Sequence, residues 1–428
     1  MTKIDSNKIS LLPLLMVILM DVMGVILVLP VLVPLILQVH GSIVSPDTSV
    51  LMRDFLYGFS LALFPMFMFF STPILGDLSD KFGRKKILLF CLVLTAGGYF
   101  LGALGIYDNN LFLFLFSRVV TGLAAGTQPI ASAAIIDLSN PLTKTKNLGY
   151  IVLVSSIGII IGPMLGGITA EKSLLSWFSY ETPFIVAGIL SLLNAVMLQF
   201  TYEETHFADH GHKVQLTKGF VLFISAFRES KFRLLAITCF CFVLAWCLYY
   251  QAISWLFMQN YHYTVGRLGL FIGYIGVIFV FASMVVTRVA QRIFAHDIQT
   301  YLFFVFLMAI ANIGCVLSVN ETPQWFWVIF NASGNVVCYT LALRLFSDSV
   351  DESAQGWIMG VVGAICAVTW TIGGMISGPL GYIDIRLPIL VSALLSLISF
   401  VIMMIYKKNH FVKPATKVKT IRKQIVVH

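Results

Sequence analysis

Long apolar stretches separated by short polar breaks run along the whole chain. They fall at about 9–38, 55–76, 87–107, 110–136, 148–170, 182–202, 233–258, 266–288, 299–319, 323–346, 356–382 and 387–406. Each is long enough to supply the roughly 20 apolar residues with which an α-helix crosses a bilayer. The pattern therefore predicts twelve transmembrane helices, numbered here as spans one to twelve. The short alternating segments of a membrane β-barrel are absent. The longest polar break, about 203–232, follows span six and divides the chain six plus six. It predicts a first half over 1–202, a linker over 203–232, a second half over 233–406 and a basic tail over 407–428. Within the linker, residues 214–227 read as a short amphipathic helix lying on the membrane face. About ten residues precede the first run and no cleavage site follows it, so it is read as an uncleaved span.

Composition agrees with this pattern. Of 428 residues, 58% are hydrophobic and 11% charged, against roughly 25% charged in a soluble domain. The formal charge of +8 is distributed by topology: 23 of the 28 Lys and Arg fall on the side of the termini and linker. Only Arg53, Lys172, Arg267 and Arg386 lie on the other side, and Arg118 lies inside a span. Such a bias places both termini in the cytoplasm. The basic tail then reads as an orientation signal and anionic-lipid contact, and no nucleic-acid partner is expected. All seven cysteines fall inside spans, which implies packing and no disulfide framework. His206, His210 and His212, with Asp209, have metal-like spacing but lie in a solvated linker without a scaffold, so no metal site is assigned. No G-x-x-x-x-G-K-[ST] loop suggests an ATP-driven pump, and neither an enzyme nor a cofactor is expected.

Two motifs refine the picture. Span five carries Gly158-x-x-x-Gly162-Pro163 and span eleven carries Gly374-x-x-x-Gly378-Pro379, a repeat that parallel halves would generate. Between spans two and three the chain reads Gly76-Asp-Leu-Ser-Asp80-Lys81-Phe-Gly83-Arg84-Lys85-Lys86. Gly83 permits a tight reversal, the basic trio holds the loop in the cytoplasm, and Gly76 allows close helix approach. This loop resembles the signature of the major facilitator superfamily and matches its G-x-x-x-D-[RK]-x-G-[RK]-[RK] pattern throughout.

Further segments resemble bacterial drug:proton antiporters of the tetracycline-efflux type. They include Asp21-Val-Met-Gly24 in span one, Arg118-Val-Val-Thr-Gly122-Leu-Ala-Ala-Gly126 in span four, and the glycine-rich run through Gly162, Pro163 and Gly167 in span five. The resemblance implies an all-α membrane protein, twelve helices in two six-helix halves. It also implies proton-driven efflux of a small amphipathic drug or metabolite across a bacterial inner membrane by a monomer. The alternative is an importer or facilitator of a nutrient such as an amino acid or siderophore. Gly76, Asp80, Gly83, Arg84, Asp137, Gly162 and Pro163 would then serve gating. Asp80 would contact the start of span eleven near Gln355-Gly356, and Arg84 would pair with Asp137. The matching loop of the second half, Thr287 to His296, is degenerate. The span-nine acid and span-eight histidine of tetracycline exporters are missing, which argues against tetracycline itself.

Asp21 and Arg118 are the ionisable residues well inside the expected spans. Asp21 lies about twelve residues along span one, about 18 Å at the helical rise, near the membrane midplane. Ions there are functional by default, so the pair is assigned to proton or substrate coupling, with a structural Asp21–Arg118 ion pair as the alternative. Arg118 heads a helical stripe with Thr121, Ala125, Gln128 and Ser132, read as a cavity wall, while Gly122 and Gly126 read as packing contacts. Span ten offers Trp327, Asn331, Asn335 and Tyr339 at four-residue steps, and span seven offers Trp246, Tyr249, Tyr250 and Gln251. Thr121, Gln128, Trp246, Tyr250, Asn331, Asn335 and Tyr339 are thus the expected substrate cavity.

Overall fold

A computed structural model describes residues 3–38, 42–140, 143–205, 215, 217–294, 296–351 and 354–411. The histidine cluster and most of the basic tail lie outside these. Among the described residues, twelve helices are long and apolar enough to cross a membrane: Leu11–Leu37, Val50–Phe82, Arg84–Tyr107, Leu111–Asp137, Lys146–Thr169, Thr182–Thr201, Ser230–Asn260, Val265–Ile293, Asp297–Leu317, Glu321–Ser347, Gln355–Ile383 and Leu387–Asn409. They correspond one to one with spans one to twelve. The fold is all-α, two six-helix halves joined by a linker.

Span two is the largest departure from the apolar pattern, at 33 residues. Its first turns contain Arg53 and Asp54, polar residues that a hydropathy reading trims away. Arg53 is buried because its guanidinium donates to the carbonyls of Ile36, Gln38, Val44, Ser45 and Thr48. Those bonds replace water and let the helix begin early. At its far end the helix continues through the signature loop, where Gly83 at φ +98° makes the reversal into span three.

The two halves meet along two helix pairs, span two with span eleven and span five with span eight. Both contacts are made by glycines. Gly374 packs on Ala62, and Gly378 lies against the backbone of Asp54 and Phe55. Gly167 and Gly269 lie backbone to backbone, and Gly276 packs on Ile160. Tyr57 adds a hydrogen bond to the Gln251 carbonyl at 3.2 Å. These contacts lie between mid-span and the face opposite the termini, here the far face. Toward the other, linker face, Gly76, Gly356 and Gly363 have open space where a side chain would project. The halves are thus closed together at the far face and parted at the linker face. Gly76 makes no close helix approach in this state, for that reason.

The linker helix runs from Lys218 to Arg228. It does not simply lie on the membrane face, because Gly219 and Ala226 are buried against the transmembrane helices.

Candidate functional site

Span four is not one continuous helix. It runs Leu111–Ala124, breaks, and resumes at Thr127–Asp137. Ala125 is extended and Gly126 adopts φ +102°, a backbone conformation that favours glycine. The break exposes carbonyls that lipid cannot satisfy. The Ser71 hydroxyl of span two donates to two of them, Gly122 at 3.0 Å and Ala125 at 3.1 Å. The second half-helix therefore begins in mid-span, with its free N–H groups pointing into the protein.

Asp21 takes up those donors. Its carboxylate accepts from the Gln128 backbone N–H at 3.1 Å and from the Thr127 side chain. A helix N-terminus carries partial positive charge, so it holds an anion without any arginine. Arg118 is not its partner: no Asp21–Arg118 ion pair occurs among the described residues. Arg118 is buried with its guanidinium over the Phe64 ring at 5.2 Å, and its Nε has no hydrogen-bond partner. Tyr99 of span three places its hydroxyl against Gly24, about one helical turn along span one from Asp21. Tyr99 sits in an apolar run without any motif, so nothing in the sequence singles it out.

The break also corrects the span-four stripe, whose helical phase assumed an unbroken helix. Thr121 is buried, its hydroxyl donating to the Ser117 carbonyl and its methyl packed on Gly98 of span three. Gln128 is half-buried and contributes its backbone. Gly126 is the hinge of the break, not a simple packing contact.

Span five backs this site. Gly158 faces the Leu19 carbonyl and Val22, Gly162 faces Met23 and Gly166 faces Leu27, so spans one and five touch on either side of Asp21. The Pro163 carbonyl faces Gly269 across the junction between halves.

In the second half the expected cavity residues divide. Trp246 and Tyr250 are buried and stacked, 5.4 Å between centroids, with Phe279 and Trp370 completing the cluster. Asn331 is fully buried and donates to Asn312 at 2.6 Å. Asn312 donates to Ser392, and Ser392 to the Ala245 carbonyl. This chain stitches spans ten, nine, twelve and seven, so Asn331 is a packing residue here. Tyr339 lies two four-residue steps further on, a spacing that drifts around the helix and splits the stripe. Asn335 is half-buried, while Tyr339 is 37% exposed and bonded to the Cys366 thiol.

The signature loop is organised within its own half. Arg84 pairs with Asp137 at 2.7 Å. Glu204, from the end of span six, accepts from the backbone N–H groups of Arg84 and Lys85 at 3.0 and 2.9 Å, capping span three. Among the described residues Asp80 forms no hydrogen bond or ion pair with span eleven, where the Gln355 side chain bonds Ser347 instead. The linker face is parted, so the two cannot meet. Asp77, absent from the sequence assignment, is the acid of this loop that reaches out, to Lys218 of the linker helix.

At the far face, Glu171 follows span five and caps span eight across the junction, accepting from the Gly266 N–H at 3.1 Å. Desolvation pushes its pKa up, but the Gly266, Thr264 and Ser173 hydrogen bonds outweigh it and hold the carboxyl below its ordinary range.

Twelve spans in two halves, closed at one face and parted at the other around a midplane acid, define a secondary transporter of small molecules. The Major Facilitator Superfamily model matches residues 14–373, and the chain belongs to that family. It is similar to the class H tetracycline resistance protein of Pasteurella multocida, 28% identical over 388 residues, covering 86% of this chain and 88% of that one. It also resembles the quinolone resistance protein NorA of Staphylococcus aureus, 34% identical over 141 residues, covering 33% of this chain and 34% of the relative. In fold it resembles a bacterial homologue of the human lysosomal transporter Spinster in an inward-facing, occupied conformation. The TM-score is 0.77 at 12% identity, covering 96% of this chain and 98% of that one.

Proposed function

We propose that this chain is a proton-coupled exporter of small amphipathic compounds, working as a monomer in a bacterial cytoplasmic membrane. The observation that carries the reading is Asp21, a midplane carboxylate held by the N-terminus of a broken helix. Protonating it removes the negative charge that Thr127 and Gln128 grip, and so loosens span one from span four. Deprotonation restores the grip. A proton taken up at one face and released at the other would then be tied to a change in helix packing, beside the Gly158–Gly162–Gly166 seam. The excess of basic residues on the linker face favours that face as cytoplasmic, which makes the state described inward-facing. The resistance proteins among the relatives support export and a drug-like substrate. The aromatic cluster of Trp246, Tyr250, Phe279 and Trp370 suits a flat or cationic ligand.

The test uses proteoliposomes with an imposed pH gradient and ethidium, tetracycline and a fluoroquinolone as probes. Wild type should accumulate at least one probe against its gradient, and Asp21→Asn should not, though it inserts normally. Undiminished uphill transport by Asp21→Asn would remove the assignment.

A further inference from the structure

The linker helix occupies the space into which the linker-face ends of spans two and eleven would have to close. On one side it fits span two: a Cβ on Gly219 would lie 2.8 Å from the Phe69 carbonyl oxygen and 3.4 Å from Pro73. The Phe223 ring meets Phe69 edge-on at 6.4 Å. On the other side, Leu222 touches the Cα side of Gly360 in span eleven, and Phe227 packs against Phe240 of span seven. The helix thus contacts both halves at once. Its start is pinned by Asp77, which is 2% exposed. Lys218 Nζ lies 2.5 Å from Asp77 Oδ1, and the Gln215 N–H donates to Asp77 Oδ2 at 3.1 Å.

At the far face the same two spans touch glycine to backbone, with no room for anything between them. A transporter that rocks its halves must bring their linker-face ends together in the other state. A helix about 10 Å across cannot stay between helices that close-pack at 8–10 Å. We infer that the linker helix is a wedge that holds the linker face open, and that Lys218 and Asp77 are positioning residues that set the ratio of the two states. The opposite side of the helix shows how it can leave. Phe220, Val221 and Ile224 are 56%, 60% and 43% exposed and face outward, so the helix can withdraw toward the bilayer interface while keeping its apolar contacts. The wedge goes beyond the export reading, since it requires neither a particular substrate nor a proton.

Two cysteines, Leu222→Cys and Gly360→Cys, joined by a short cleavable thiol cross-linker, test this directly. Spin labels at Phe200 and Ile293, which are 83% and 71% exposed near the linker-face ends of spans six and eight, report the opening. The linked protein should keep the long label distance under every condition and lose ethidium transport by about tenfold or more; cleavage should restore both. In unlinked protein, Lys218→Glu should shift the distance distribution toward the short form by about tenfold, and Lys218→Arg should leave it near wild type. A linked protein that transports at the unlinked rate, or a Lys218→Glu distribution equal to wild type, overturns the wedge. Asp21→Asn should leave the effect of linking on the distances unchanged, which separates failure of this inference from failure of the proton assignment.

Discussion

Gly126→Ala tests the break in span four with one methyl group. An L-residue forced into the left-handed region costs about 1–2 kcal/mol. The added Cβ would lie 2.7 Å from Thr72 Oγ1 and 2.9 Å from Thr72 Cα, closer than side chains pack. Overpacking of that kind costs about 1–3 kcal/mol. Together they come to about 2–5 kcal/mol, and since about 1.4 kcal/mol is tenfold, the broken form is disfavoured by at least about thirtyfold relative to a straightened helix. Straightening would draw the Gln128 N–H back into a helical bond and carry the Thr127 side chain away from Asp21. The expected outcome is a lower apparent unfolding temperature, together with loss of pH-driven ethidium accumulation in proteoliposomes. Gly149→Ala is the matched control, because a Cβ there meets nothing within 4 Å. If Gly126→Ala unfolds at the wild-type temperature and keeps the wild-type pH profile of transport, the break does not hold Asp21.

Two more predictions concern the far face and the second half. Glu171→Gln keeps an acceptor but loses the charge that favours the span-eight N-terminus, worth about 0.3–1 kcal/mol, so the far face should open about two- to fivefold more often. Spin labels at Tyr107 and Val319 would read this. Because the hydrogen bonds of the closed face hold the Glu171 carboxyl below its ordinary range, its contribution is fully present above that range and is lost as pH falls through the lowered value. Acidification should therefore loosen the far face of wild type and leave that of Glu171→Gln unchanged. Asn331→Ala removes a donor from Asn312 and should destabilise the protein by about 0.6–1.7 kcal/mol, the range for hydrogen bonds between membrane helices. Denaturation and ethidium saturation curves together decide its role: a change in apparent affinity without loss of stability would return Asn331 to the cavity.

The spans and the loop after span two were legible because both depend on local composition: hydrocarbon length, basic charge and a glycine reversal. The early start of span two was hidden, since Arg53 and Asp54 read as polar loop until the carbonyls of residues 36–48 gather around the guanidinium. The break in span four was hidden for a different reason. Ala124-Ala125-Gly126 is ordinary membrane-helix sequence, and its break is stabilised from outside by Ser71. Asp21 could be singled out by its cost in the membrane, but its partner could not, because the partner is backbone and leaves no residue signature. The same limit applies to Glu204, whose acceptors serve the N–H groups of a helix distant in sequence. The amphipathic linker was visible as a pattern, yet whether its small residues meet lipid or protein depends on which face of the molecule is open.

The two ends of the junction between halves are held by different forces. At the far face, Gly374, Gly378, Gly167 and Gly269 press backbone on backbone, an attraction of short range that ions hardly screen. At the linker face the Lys218–Asp77 pair, with the lysine 41% exposed, is open to ionic strength. In the orientation and wedge proposed above, a cell's internal salt would act on this pair and leave the backbone contacts of the far face almost untouched, so cytoplasmic ionic strength would bear on how long the carrier waits open. At the other end the glycine contacts can be tuned only in steps of a methyl group, which leaves the Glu171 cap as the finer adjustment.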